Sequence, residues 1–162
     1  MKRILQLGAV SLLAAASCAG AQTLEIGTVA PASLVQQIEG TPPVTVGSTS
    51  VRVLPSSAVL KSEGASAGAS TSRSTLVVRP SDNLIGRSDN KLVVVYSDTA
   101  AVKAKSLSLA PGATIETHPN VAMTIVRVSS FKDLPALQAK LHDAFPKATF
   151  DVPVTYFEDL PE

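Results

Sequence analysis

The sequence predicts an α+β protein, and three observations carry that expectation. Between Lys91 and Glu158 the apolar runs follow one another in the order strand, helix, strand, strand, helix, strand. Their periodicity alternates between that of a pleated strand and that of a helix. Turn or cap residues stand at nearly every join. This is the ferredoxin-like β-α-β-β-α-β order, in which two helices cover one face of an antiparallel sheet.

Lys91-Leu-Val-Val-Val-Tyr96 is a β-branched run bracketed by Asp89-Asn90 and Ser97-Asp98, as strands are. Leu92, Val94 and Tyr96 point one way and Val93 and Val95 the other, so both faces are apolar and the strand belongs in the middle of a sheet. Asp98 or Ser97 caps a helix from Thr99 to Leu109, whose apolar stripe is thin, Val102 and Leu109 standing among Ala, Lys and Ser. Pro111-Gly112 ends it. Ala113 to His118 sets Ile115 against Glu116 and His118 as a half-exposed strand, His118-Pro119-Asn120 turns the chain, and Val121 to Val128 returns as a second apolar run. The second helix has Ser130 or Asp133 for its N-cap, Pro135 in its first turn, and Leu134, Leu137, Leu141 and Phe145 at helical spacing. Pro146 stops it. The last strand sets Phe150, Val152, Val154 and Tyr156 against Asp151, Pro153 and Thr155. Pro153 cannot donate to a ladder, which makes this an edge strand.

From Lys91 onward the chain resembles the propeptide of subtilisin-like serine proteases, a family that also occurs as free-standing protease inhibitors. The residues that carry the resemblance are the YIVxF-like first strand Lys91–Tyr96, Pro111-Gly-Ala-Thr-Ile115 leading into the second strand, and the helix break at Phe145-Pro146. Closest is Phe150-Asp-Val-Pro-Val-Thr-Tyr-Phe-Glu158, similar to the family's Pro-x-Val-x-Tyr-Val-Glu ending. The resemblance spans residues 91–158, under half of the chain.

The start of the chain carries a different signal. Met1-Lys2-Arg3 is basic, Ile4 to Ala16 is apolar, and Ala19-Gly20-Ala21 is a small-x-small site, so residues 1–21 read as a secretory signal peptide cleaved between Ala21 and Gln22. The apolar run is too short for a membrane span in the mature protein. Ala15-Ala16-Ser17-Cys18 partly resembles a bacterial lipoprotein box, but the usual leucine three residues before the cysteine is missing. Cleavage removes Lys2 and Arg3 from a chain whose formal net charge is +1, so the balance gives no case for nucleic acid or anionic lipid. Cys18 is the single cysteine, and an exported chain without it has no disulfide and no thiol nucleophile. The expected location is secreted or periplasmic, in a bacterium.

Residues 22–60 read as an N-terminal extension. Pro31 to Glu39, closed by Gly40, is a short helix with Leu34, Val35 and Ile38 on one side, and Val44–Val46 and Val51–Val53 around Gly47–Ser50 make a β-hairpin. Residues 61–75 read as a flexible Ser/Gly/Ala linker. The remainder, 76–162, is the ferredoxin-like domain, with Leu76–Val78 as one more strand and Ser-Asp-Asn at 81–83 and 88–90 as two turns.

Catalysis has little to rest on. His118 and His142 are the histidines, yet no Gly-x-Ser-x-Gly elbow, His-Glu-x-x-His, phosphate loop or dinucleotide fingerprint accompanies them. His118 precedes a proline in a turn, His142 lies toward a helix end, and Glu116 and Asp151 face out of strands as solvated acids do. The expectation is a protein that is not an enzyme and holds no cofactor or metal.

Binding has more. Two helices cover one face of a four-stranded sheet, yet Leu92, Val94 and Tyr96 against Val93 and Val95 make both faces of the first strand apolar, as Val121, Met123 and Ile125 against Ala122, Val126 and Val128 do in its neighbour, so something must cover the second face. The resemblance implies that this open face packs on two helices of a protease. It implies that Glu158 meets the helices' N-termini and that the following residues run through the cleft like a substrate. The protease-contact residues would then be Thr155, Tyr156, Phe157, Glu158, Asp159, Leu160, Pro161 and Glu162. The tail after Glu158 is shorter than the family's, and Pro161 is a poor neighbour for a bond to be cleaved. The expected function is to bind a subtilisin-like serine protease in trans, inhibiting it or assisting its folding. The alternative is a periplasmic structural or assembly module. The two diverge on whether residues 22–80 cover the open face.

Overall fold

The computed structural model describes residues 22–56, 58–60 and 74–157. In chain order these form β1 (Gln22–Leu24), α1 (Ala32–Glu39), β2 (Val44–Val46), β3 (Thr49–Val53), β4 (Ala58–Leu60), β5 (Thr75–Val78) and β6 (Ile85–Ser88). There follow β7 (Lys91–Val95), α2 (Thr99–Leu109), β8 (Thr114–His118), β9 (Met123–Arg127), α3 (Leu134–Ala144) and β10 (Thr149–Asp151). The fold is mixed α+β, with two four-stranded antiparallel sheets ordered β2-β3-β5-β6 and β10-β7-β9-β8, and a parallel pair of β1 and β4. The signal segment with Cys18 and Ala21, residues 61–73 of the expected linker, and Glu158–Glu162 lie outside the described residues.

Local chemistry accounts for most boundaries. The Asp98 carboxylate accepts the Ala101 N–H at 2.9 Å and so caps α2, satisfying one of the orphan donors of a helix start. The stripe of α2 is thin: Thr99, Val102 and Ser106 are its buried residues. Ahead of α3, Ser130 accepts the Lys132 N–H and caps a 3₁₀ turn, Phe131–Asp133, while Asp133 makes no side-chain cap. Pro135 occupies the first turn of α3, where no N–H is required. Asn83 and Asn90 both adopt φ +57°, the left-handed conformation asparagine tolerates, at the two Ser-Asp-Asn turns. The hairpin turn is tighter than expected: β3 begins at Thr49, and Gly47 takes φ +59°.

The last strand is shorter than the alternation Phe150–Tyr156 suggests. β10 pairs with β7 from Thr149 to Asp151 at the sheet edge, then leaves it. Pro153 brings no N–H to continue the ladder. The chain crosses instead to the other sheet, where Thr155 and Arg87 exchange backbone hydrogen bonds of 2.8 and 2.9 Å.

One hydrophobic core joins both sheets. Leu92, Val94 and Val126 from the β7–β9 sheet, Val102 from α2, and Phe131, Leu134, Leu137 and Leu141 from α3 and the turn before it pack with Val46, Val51 and Val77 of the second sheet. Each fully buried side chain of this size contributes roughly 1.5–3 kcal/mol. The opposite face of the second sheet presents Val78 and Ile85 to Leu34 and Ile38 of α1, in a smaller cluster with Leu24, Ala30 and Leu54. β5 and β6, grouped by sequence with the C-terminal half, are thus hydrogen-bonded to the hairpin and complete its sheet.

Candidate docking face and the C-terminal segment

Strand register decides which side chains share a face. Glu116, Ile125, Val93 and Asp151 stand opposite one another across β8, β9, β7 and β10, and His118, Met123, Val95 and Thr149 form the next row. Thr114, Arg127 and Lys91 make a third. The alternate residues, Leu92, Val94, Thr124, Val126 and Phe150, are buried beneath the helices.

Among the described residues the first set is left without a cover. Val95 is 45% exposed, and Val93, Met123 and Ile125 are half-buried. None of the four belongs to either hydrophobic cluster of the described residues. The second sheet sits beside this face rather than on it: the turn of the β2–β3 hairpin abuts β10, where the Ser48 and Thr49 hydroxyls donate to Asp151 Oδ1 at 3.1 and 3.0 Å. At one end Asp89 is shared by Lys91 at 3.3 Å and Arg127 at 4.0 Å, exposed pairs that add little stability but fix the charge pattern. The result is a small apolar centre on β7 and β9 with polar and charged groups on the outer strands. It is suited to burying a protein surface.

Of the expected protease-contact residues, the structure describes Thr155, Tyr156 and Phe157. Thr155 is bonded to Arg87 as above. The Tyr156 ring lies 4.6 Å below the Arg79 guanidinium, a cation–π contact. Arg79 in turn donates to both oxygens of Asp82 at 2.9 and 2.6 Å. That hydrogen bond holds the Asp82 carboxyl below its ordinary pKa, while burial, partly offset by Arg79, pushes the Tyr156 phenol above its own. Phe157 is 71% exposed.

Two glycines make room for this segment. A Cβ on Gly86 would come within 2.7 Å of Val154 Cγ1 and 2.8 Å of Tyr156 Cε1, and one on Gly27, at φ +81°, within 2.6 Å of the Tyr156 carbonyl oxygen. Arg79, Arg87, Gly27 and Gly86 escape sequence reasoning because each is remote in the chain and none belongs to a local motif. The signal for Val93, Val95, Met123 and Ile125 is legible, in the two-sided apolarity of their strands.

A polar concavity, an open groove of about 650 Å³, is lined by Ser48, Thr49, Arg79, Asp151 and Tyr156 among others. Its Ser48 and Thr49 hydroxyls are committed to Asp151 and its guanidinium to Asp82. His118 ends β8, and His142 lies against Phe150 with ring centroids 6.1 Å apart. Among the described residues no three His, Cys, Asp or Glu side chains gather as a metal site, and no helix is long and apolar enough to cross a membrane. No family model, no curated protein and no solved structure matches this chain.

Proposed function

We propose that this is an exported binding protein that docks the open face of a ferredoxin-like half, residues 91–157, onto a subtilisin-like serine protease in trans, inhibiting it or assisting its folding. The observation that carries the reading is the apolar centre that no other described element covers: Val95 is exposed and Val93, Met123 and Ile125 are half-buried although both helices and the second sheet are in place. The strand order β10-β7-β9-β8, with α2 and α3 packed against each other and over the sheet, supports the ferredoxin-like description. The choice of partner rests on the propeptide-like residues between Lys91 and Glu158.

A second reading, a structural or assembly module of the bacterial envelope, draws support from the C-terminal segment, whose backbone is bonded within its own chain at Thr155. It docks through the ferredoxin-like half and the β2–β3 hairpin onto a different partner.

The deciding experiment measures inhibition of purified subtilisin-like proteases by the chain from Gln22 onward. Wild-type protein inhibits at or below about 10 µM, the scale of a weak specific complex. Val95→Glu, at an exposed position, leaves the circular dichroism spectrum unchanged and weakens inhibition at least about tenfold, since it buries an unpaired charge in the interface. Failure to bind any such protease, one from the same organism included, would discard the protease and leave the module.

A further inference from the structure

We infer that residues Val152–Phe157 are a fixed segment, bridged at Thr155 to the outer edge of the second sheet, and not an arm that threads a partner's cleft. The inference rests on the docking reading above for its functional consequence, but its structural part stands alone. Three independent features hold the segment. The Arg87 and Thr155 backbones exchange two hydrogen bonds. Val152 is buried in the main core and Val154 packs against it, so the approach to Thr155 is itself anchored. Tyr156 is seated on Gly86 and Gly27 beneath Arg79, and two Cβ-free positions on different elements are what its ring and carbonyl require.

The outer edge of β6 is where these features meet. Gly27 and Thr28 take the hydrogen bonds of Ile85, and Thr155 takes those of Arg87, so the edge strand is closed by two short pieces laid end to end. Closing an edge in this way protects it from pairing with other chains. To lie along a partner's cleft, the segment would have to surrender both hydrogen bonds to Arg87 and expose β6 again. A protein built this way meets its partner with the preformed face of the β7–β9 sheet. Residues up to Phe157 then stay on β6 when the partner binds.

Amide hydrogen exchange on the chain from Gln22 onward tests the structural part. The Thr155 and Arg87 amides are expected to exchange at similar rates, slowed roughly a hundredfold or more relative to an unstructured chain. Thr155 exchanging as an open loop overturns the inference. Gly86→Ala displaces the Tyr156 ring and speeds exchange at Thr155 while the Val94 amide stays protected; unchanged exchange at Thr155 would mean that the cradle does not hold the strand.

The functional consequence is read with a subtilisin-like protease that the wild-type protein inhibits. Arg79→Ala changes the inhibition constant of the chain from Gln22 onward by less than about threefold. Inhibition made about tenfold tighter by Arg79→Ala shows that the segment has to be released and refutes the inference. Absence of any protease inhibition would overturn the functional reading, and the exchange rates would still decide whether the strand is fixed.

Discussion

Gly47→Ala tests whether the two sheets form one cooperative unit. Gly47 sits at φ +59° in the β2–β3 turn, and an added Cβ would overlap the Phe150 carbonyl group, whose carbon lies 2.7 Å from it. The obstacle is backbone on both sides, so neither partner can swing away. The left-handed conformation alone costs a non-glycine residue roughly 1–3 kcal/mol. Pushing the turn off β10 breaks the Ser48 and Thr49 bonds to Asp151, worth about 0.5–1.5 kcal/mol each, and loosens Val46 and Val51 in the shared core. A loss of about 3–5 kcal/mol follows, a large fraction of the roughly 5–15 kcal/mol that keeps a domain folded. Urea unfolding followed by circular dichroism and by tyrosine fluorescence provides the measurement. The chain has no tryptophan and two tyrosines; Tyr96 packs on Phe145 and Tyr156 lies on the second sheet, so each sheet carries a reporter. Both probes should shift together to lower urea. Gly112→Ala, where nothing lies within 4 Å of the added carbon, should stay within about 0.5 kcal/mol of wild type. A Gly47→Ala protein within about 1 kcal/mol of wild type, or one whose circular dichroism and fluorescence transitions separate, refutes the reasoning.

Three further outcomes are expected. Asp98→Ala removes the cap on α2 and lowers stability by about 1 kcal/mol in thermal or urea unfolding. Thr124→Val should raise stability by about 1 kcal/mol, because the Thr124 hydroxyl is buried with no hydrogen-bond partner among the described residues and valine keeps its shape. The raised pKa of Tyr156, set first by burial and then by the opposing charges of Arg79 and Asp82, means that the unfolded chain ionises first as pH rises. Its contribution is therefore complete below about pH 10 and is lost as pH climbs through the folded value. A Tyr156→Phe protein should show a shallower fall of melting temperature above pH 10 than wild type; equal slopes would show that the phenol is not buried in solution.

How much was legible in the residues differs between the halves of the chain. The β7–β10 half is spelled out locally: Asp98 caps, Pro135 opens a helix, Leu134, Leu137 and Leu141 recur at helical spacing, and Val93 and Val95 announce a strand with two apolar faces. α1 and the hairpin follow the same rules. β6 left no comparable mark, since Ile85-Gly-Arg-Ser88 has one apolar side chain and becomes a strand only because β5, the Gly27–Ala30 segment and Thr155 supply its partners.

The candidate site divides along the same line. The two-sided apolarity of β7 and β9 is a property of single strands, set by the alternation of their side chains, and so the sequence by itself determined that one face would need either a cover or a partner; the register of β7 against β9 decides that Val93, Val95, Met123 and Ile125 share it. Whether they have a cover depends on where the second sheet packs. The close fit of Gly47 against Phe150 and the bonds from Ser48 and Thr49 to Asp151 seat that sheet beside β10. The course of the C-terminal segment is likewise a long-range matter: alternation from Phe150 to Tyr156 describes one continuous strand, but Pro153 ends the ladder and the vacant edge of β6 takes up Thr155. Local periodicity reports which side of a strand is apolar, and only the tertiary structure decides what lies against it, because the contacts that decide it join residues scores of positions apart.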